Sequence, residues 1–184
     1  MREPLIPQLD AEEFLHWENR QQDRFELHHG FIVAFAGGTI DHDTIATNVR
    51  VLLRKMYPSP CRSFGSDVKV RISESIVFYP DAGVVCEELT GGETVVTAPT
   101  AICEILSEST RTYDLIDKRA AYHGLPTLGA YIIVHTRTRR IEVDVRSPDG
   151  SWQTSTIDDG PLPLGAQRVT VDEIYEFTAV PAAT

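Results

Sequence analysis

Two acidic residues stand where an acid is out of place, and a lysine follows them within reach of a folded chain. Glu104 interrupts the apolar run Ala101-Ile-Cys-Glu-Ile-Leu106, and Asp81 follows Pro80 at a break between the apolar stretches 76–79 and 82–86. A carboxylate is costly to bury unless a cation or strong hydrogen bonds compensate it. Beyond Glu104, the residues Asp114, Lys118 and Tyr122 recur at every fourth position, which sets them near one face of a helix. Two carboxylates and a lysine suit the hydrolysis of a phosphodiester with a divalent cation. Mg²⁺ takes a few carboxylate oxygens and keeps several waters. It neutralises the phosphate and acidifies a bound water. A lysine nearby orients or helps deprotonate that water and stabilises developing charge. Each residue also has a plainer reading: Asp81 as a turn residue, Glu104 in a structural ion pair with Lys118 or an arginine, and Lys118 as a solvated helix residue.

The elements that must position these groups are legible in outline. Asp10-Ala-Glu-Glu13 has the form of a capping box, with an Asp cap and a Glu three residues later, and starts a helix to about Asn19. Arg24–His28 and Phe31–Ala36 read as strands around Gly30. Ile45, Val49, Leu52, Leu53 and Met56 repeat with a helical period, so 40–56 is the longest predicted helix, ended by Tyr57-Pro-Ser-Pro60. Val68–Ile72 alternates as a half-buried strand, and 87–97 is a turn-rich connection around Gly91-Gly92. The Glu104 run is a strand, Asp114–His123 a helix, and 130–135, 141–146 and 152–157 are strands, with a short helix or turn at 171–177. Helices and strands mix without regular βαβ alternation, which predicts an α+β fold or a mixed sheet flanked by helices.

Composition narrows the setting. The 184 residues suit one domain, and 42% hydrophobic with 24% charged residues is ordinary for a folded soluble chain. The apolar runs are too short for a membrane span and the N-terminus lacks a signal-peptide pattern, so a cytoplasmic location is expected. Cys61, Cys86 and Cys103 are scattered and odd in number; they form no zinc motif and are expected to be reduced packing residues. The net charge of −10 is unusual for a nucleic-acid binder. It is uneven, however: residues 50–71 carry six bases (Arg50, Arg54, Lys55, Arg62, Lys69, Arg71) and one acid, and Arg137, Arg139 and Arg140 form a second basic group. This pattern predicts weak, salt-sensitive binding of DNA.

Many short motifs together resemble the bacterial restriction-endonuclease family of Uma type in the PD-(D/E)XK superfamily. They are Phe25-Glu-Leu-His-His-Gly30, Ala36-Gly-Gly38 followed by His42, Pro60-Cys-Arg62, Ser66-Asp-Val-Lys-Val-Arg71, Tyr79-Pro-Asp81 and Glu104-Ile-Leu-Ser-Glu-Ser-Thr110. Asp114 with Lys118 and Tyr122, then Leu125-Pro-Thr-Leu128 with Tyr131, complete the set. The match runs over 9–177, which the resemblance marks as one nuclease-like domain, with 1–8 and 178–184 as terminal tails. It implies a restriction-endonuclease-like core of mixed sheet flanked by helices, with extra N-terminal strands. It also implies that Asp81 and Glu104 hold Mg²⁺ or Mn²⁺. The usual superfamily lysine lies two residues after the Glu, where this chain has Leu106; the resemblance moves that role to Lys118 on the next helix. Glu26, in the Phe-Glu-Leu element, is a further candidate acid. The chain departs from the pattern at Ala130, often an acid, and at Val134-His135, neither of them in the expected metal site.

The leading expectation is therefore a metal-dependent endonuclease acting on DNA, with Asp81, Glu104, Lys118 and Glu26 at the site and a homodimer as the assembly. Two alternatives stay open: an inactive nuclease-like module for binding or dimerisation, and an RNA-directed nuclease. His42 is either close to the site or a polar residue at a helix start. His28 and His29 are adjacent on a strand and point to opposite faces, so they do not chelate together. Tyr122 reads first as a packing residue, and Asp114 as the organiser of the Lys118 helix. Ser107 and Ser109 lack a base at recognisable spacing.

Overall fold

The computed structural model describes residues 8–34, 38–106, 112–164 and 167–183, and for 112–115 the backbone alone. The helix α1 (Ala11–Glu18) begins at the predicted capping box: the Glu13 N–H donates to Asp10 at 2.8 Å and the Asp10 N–H to Glu13 at 3.1 Å. The strands β1 (Phe25–His28) and β2 (Phe31–Ala34) form a hairpin whose turn puts His29 and Gly30 at positive φ. The helix α2 (Ile40–Met56) starts at Thr39, whose hydroxyl accepts the His42 N–H. Then follow β3 (Arg62–Gly65), β4 (Lys69–Ser73), β5 (Ile76–Phe78), β6 (Ala82–Val85), β7 (Val95–Val96) and β8 (Pro99–Leu106). The helix α3 (Thr112–His123), the strands β9 (Ala130–His135), β10 (Ile141–Arg146) and β11 (Trp152–Ile157), and the short helix α4 (Val171–Ile174) complete the chain order.

The strands make two sheets, and this bears directly on the site. The first has the order β2-β1-β5-β4-β7, the second β11-β10-β9-β8-β6-β3. The chain passes from β5 of the first to β6 of the second through Tyr79-Pro80-Asp81. In the second sheet β8 runs parallel to β9 and antiparallel to β6. Both sheets are therefore mixed and flanked by helices, as expected, and the extra N-terminal strands belong to the first.

Side-chain alternation splits the apolar residues of the second sheet into two cores. Ala101, Cys103 and Ile105 face the same cluster as Ile45, Val49, Leu52, Leu53 and Met56 of α2, the five positions of the helical repeat. Ile102 and Leu106 face the other side with Tyr122, Leu125 and Leu128, together with Val70 and Phe78 of the first sheet. Glu104 has the parity of Ile102 and Leu106, so period two sends its side chain toward α3. A third cluster joins α1 to the first sheet through Phe14, Leu27 and Val77. There the buried Lys69 lies 3.0 Å from Glu18, whose carboxylate also accepts the Tyr79 hydroxyl at 2.6 Å. Beyond 177 the described chain still makes contacts: Val180 is buried and the Arg139 N–H donates to the Pro181 carbonyl at 2.8 Å.

The cysteine expectation is corrected. Cys61 and Cys86 form a disulfide, and Cys103 alone remains a free, buried thiol. The cause is register. β3 pairs antiparallel with β6 with Arg62 opposite Val85, and one step outward brings Cys61 opposite Cys86. No pattern in the linear spacing announces that pairing. No helix among the described residues is long and apolar enough to cross a membrane.

Candidate active site

Five elements converge at the seam between the sheets. β1 contributes Glu26 and His28, the β5–β6 crossing contributes Asp81, β8 contributes Glu104, α3 contributes Lys118 and Tyr122, and the first turn of α2 contributes His42. Glu26, Asp81 and Glu104 are each under a tenth exposed. Lys118 joins two of them, with its Nζ 2.9 Å from Glu26 Oε1 and 3.5 Å from Glu104 Oε1. Asp81 is tied to the Glu104 strand, since its Oδ2 accepts the Ile105 N–H at 2.7 Å. Its Oδ1 lies 3.2 Å from His42 Nε2.

Each carboxylate has its own surroundings. Glu26 Oε1 also accepts the Tyr79 N–H at 2.9 Å, and its Oε2 lies 2.8 Å from His28 Nε2. Burial pushes the Glu26 carboxyl up, but the Lys118 charge and the hydrogen bonds from His28, Lys118 and Tyr79 outweigh it, and its pKa falls below the ordinary value. Glu104 behaves oppositely. Burial, with Asp81 and Glu26 adding like charge, pushes its pKa up to about 8 against the ammonium of Lys118 and the hydroxyl of Tyr122, which donates at 3.1 Å. Burial works against the Lys118 cation, but the charges of Glu104 and Glu26 hold its pKa above that of an ordinary lysine. His42 is raised by its hydrogen bond to Asp81, with burial opposing.

All four expected site residues therefore meet, three of them through direct contacts of Lys118 or shared electrostatics and Asp81 through the backbone of β8. His42, left open between two readings, stands against Asp81. Tyr122 packs as expected and also donates to Glu104. Asp114's side chain and residues 107–111, which include Ser107 and Ser109, lie outside the described residues, as do Ala36 and Gly37. Sequence reasoning missed the partnership of His28 with Glu26. Its signal was available, because residues two apart on a strand share a face.

The arrangement suits a divalent cation. Three buried carboxylates face one lysine and two histidines, His28 on Glu26 and His42 on Asp81, so with the carboxyls ionised and both histidines neutral the acid charge exceeds the basic charge. Among the described residues no group of three or more His, Cys, Asp or Glu side chains forms a metal cluster. A closed zinc-type cage is therefore not built there, whereas a carboxylate pair completed by water is the coordination Mg²⁺ favours.

A second buried polar cluster lies beside this one under α3. Asp144 of β10 is fully buried and takes a bidentate pair from Arg119, at 2.6 and 2.7 Å. It also accepts from Thr154 at 2.6 Å and lies 2.8 Å from His123 Nε2. This cluster fixes α3 against β10 and so holds Lys118, one residue before Arg119, over the carboxylates.

Comparison with known proteins agrees with this architecture. Residues 11–173 match the sequence profile of the family Uma2, described as "Putative restriction endonuclease". Two uncharacterized proteins of Synechocystis sp. are similar in sequence: slr1290 is 32% identical over 80% of this chain and 79% of its own length, and sll1609 is 30% identical over 78% and 84%. The crystal structure of "a putative nuclease belonging to DUF820" from Anabaena variabilis is similar in fold, with a TM-score of 0.72 at 14% identity over 91% of this chain and 97% of that one.

Proposed function

The chain belongs to the Uma2 family, and on that premise we propose that it is a metal-dependent endonuclease that hydrolyses phosphodiester bonds in DNA. The observation that carries the reading is the convergence of Glu26, Asp81 and Glu104 from three separate segments onto Lys118 and the β8 backbone.

In this reading Asp81 and Glu104 hold Mg²⁺ or Mn²⁺. When bound, the cation supplies charge neutralisation at the phosphate and makes water a stronger acid. The rest of the chemistry falls to the chain. Lys118, fixed between Glu26 and Glu104, sets its ammonium beside the reacting phosphate and stabilises charge that develops there. Glu26 stays ionised and keeps Lys118 protonated and oriented. His42 and the Ile105 N–H fix the rotamer of Asp81. Tyr122 fixes Glu104 and closes the apolar side of the site to water. A duplex offers two strands and twofold symmetry is the commonest assembly, so the working unit in this reading is a homodimer. A single monomeric mass in sedimentation would overturn that part alone.

The deciding experiment is nicking of supercoiled plasmid at low salt by the wild type and by Asp81→Ala, with Mg²⁺, Mn²⁺ or EDTA. Metal-dependent nicking that disappears in the variant supports the reading. Folded wild-type protein that leaves plasmid intact with both metals would overturn it in favour of a binding module or an RNA target.

A further inference from the structure

The bases of residues 50–71 do not all remain available as one positive face. Lys69 is buried against Glu18, and Arg71 is paired with Glu74 at 2.8 Å. In the second basic group Arg139 is paired with Asp172 and Arg140 with Asp158. Arg50 and Arg54, by contrast, are exposed and have no acidic partner among the described residues. In a chain of net charge −10, two unpaired arginines one turn apart on one helix face are unusual.

Their position is more informative than their charge. Arg50 lies over Gly65, where an added Cβ would stand 3.0 Å from the guanidinium carbon and from two of its nitrogens. Gly65 is buried and pairs with Ala82, the residue after Asp81. The absent side chain at 65 is thus what lets a guanidinium lie over β3, the strand paired with β6 just after Asp81. The same helix holds His42 against Asp81 at its other end. From His42 to Arg54 is about 18 Å at the helical rise of about 1.5 Å per residue, on the order of five nucleotide steps of one strand at about 3.4 Å each.

We propose that Arg50 and Arg54 form a track along α2 that binds the phosphodiester backbone of the substrate and leads it to Asp81. The proposal rests on the nuclease reading above and adds where the strand enters. A guanidinium presents a planar fork of donors that fits phosphate oxygens, and phosphate contacts of this kind position a strand without reading its sequence. The track is short and the chain carries a net charge of −10, so binding is weak and strongly dependent on salt.

The test is fluorescence anisotropy with a short fluorescein-labelled DNA duplex in EDTA, which reads binding apart from cleavage, across a series of salt concentrations. Arg50→Gln and Arg54→Gln are each expected to weaken binding roughly fivefold and to make the dependence of log K on log salt shallower by about one. Arg140→Gln, at an arginine already paired with Asp158, serves as the control and is expected to bind as the wild type does. An RNA duplex of the same sequence identifies the source of the phosphate, and arginine-dependent binding of either polymer supports the track. Unchanged affinity in the Arg50→Gln/Arg54→Gln variant overturns it, including the case where that variant only becomes less soluble because the two arginines shield the edge of β3. Absence of wild-type binding to both polymers also overturns it. The plasmid assay then decides the nuclease reading independently.

Discussion

Lys118 holds its ammonium nitrogen 2.9 Å from an oxygen of Glu26, a residue 92 positions earlier. Glu26 belongs to the first sheet and Glu104 to the second, so this one cation ties the two sheets together at the point where acid charge is densest. Both side chains of the Lys118–Glu26 pair are largely buried, which makes the pair sensitive to loss of either partner.

Replacing Lys118 by Met is expected to abolish activity and to destabilise the fold by about 3 kcal/mol, because buried carboxylates lose their cation. Glu26→Gln should be milder, since the amide oxygen still accepts the Tyr79 N–H. The double variant should lose less than the sum of the single losses. Urea unfolding of the four proteins measures the coupling, and strict additivity would show that the contact contributes nothing.

The Asp144 cluster gives the pH dependence. Burial pushes the Asp144 carboxyl up, but the hydrogen bonds from Arg119 and Thr154 and the charges of Arg119 and His123 bring it below the ordinary value. A lowered carboxyl pKa stabilises the fold fully above the unfolded value, about pH 4, and this contribution is lost as pH falls through the folded value. Asp144→Asn should therefore cost about 3–5 kcal/mol near neutral pH, and the difference from wild type should shrink in acid. Denaturation of both proteins at several pH values tests the sign; a gap that widens on acidification contradicts it.

The disulfide predicts a thiol count. Unfolded without reductant, the protein should titrate one thiol, Cys103, and three after reduction. A closed loop of sequence separation 25 corresponds to roughly 3 kcal/mol in the chain-entropy account. Reduction should lower the melting temperature accordingly. Three thiols in protein never exposed to reductant would restore the expectation of free cysteines.

Gly83 is constrained by sterics. A Cβ there would come within 2.4 Å of the buried Phe64 ring, its cross-strand partner. Gly83→Ala is expected to destabilise by about 1–3 kcal/mol, as overpacking of a filled core does. Thermal unfolding within a degree of wild type would mean that the ring turns aside freely.

What was legible in the sequence was whatever depends on local period. The five apolar positions of α2 line its buried face because 3.6 residues make a turn, and Glu104 stood out because one acid broke an apolar strand. The Asp144 strand marks the limit of that logic. Ile-Glu-Val-Asp-Val-Arg alternates apolar and polar residues, and α3 covers the polar face, where Arg119 neutralises it. The division into two sheets, the meeting of Cys61 with Cys86 and the seat of Arg50 over Gly65 all depend on contacts between segments whose spacing carries no signal.

The crossing at Tyr79-Pro80-Asp81 sets an order of events. Glu26 leaves the ribosome early, Asp81 and Glu104 later and Lys118 last, and the cluster requires both sheets to be assembled and α3 to be docked. A nascent or truncated chain that ends before α3 holds every strand of the first sheet and still leaves its acids without their shared cation. In the nuclease reading, the protein remains unarmed until its synthesis has passed β11, the last strand of the second sheet, and a cell making it carries no half-built blade.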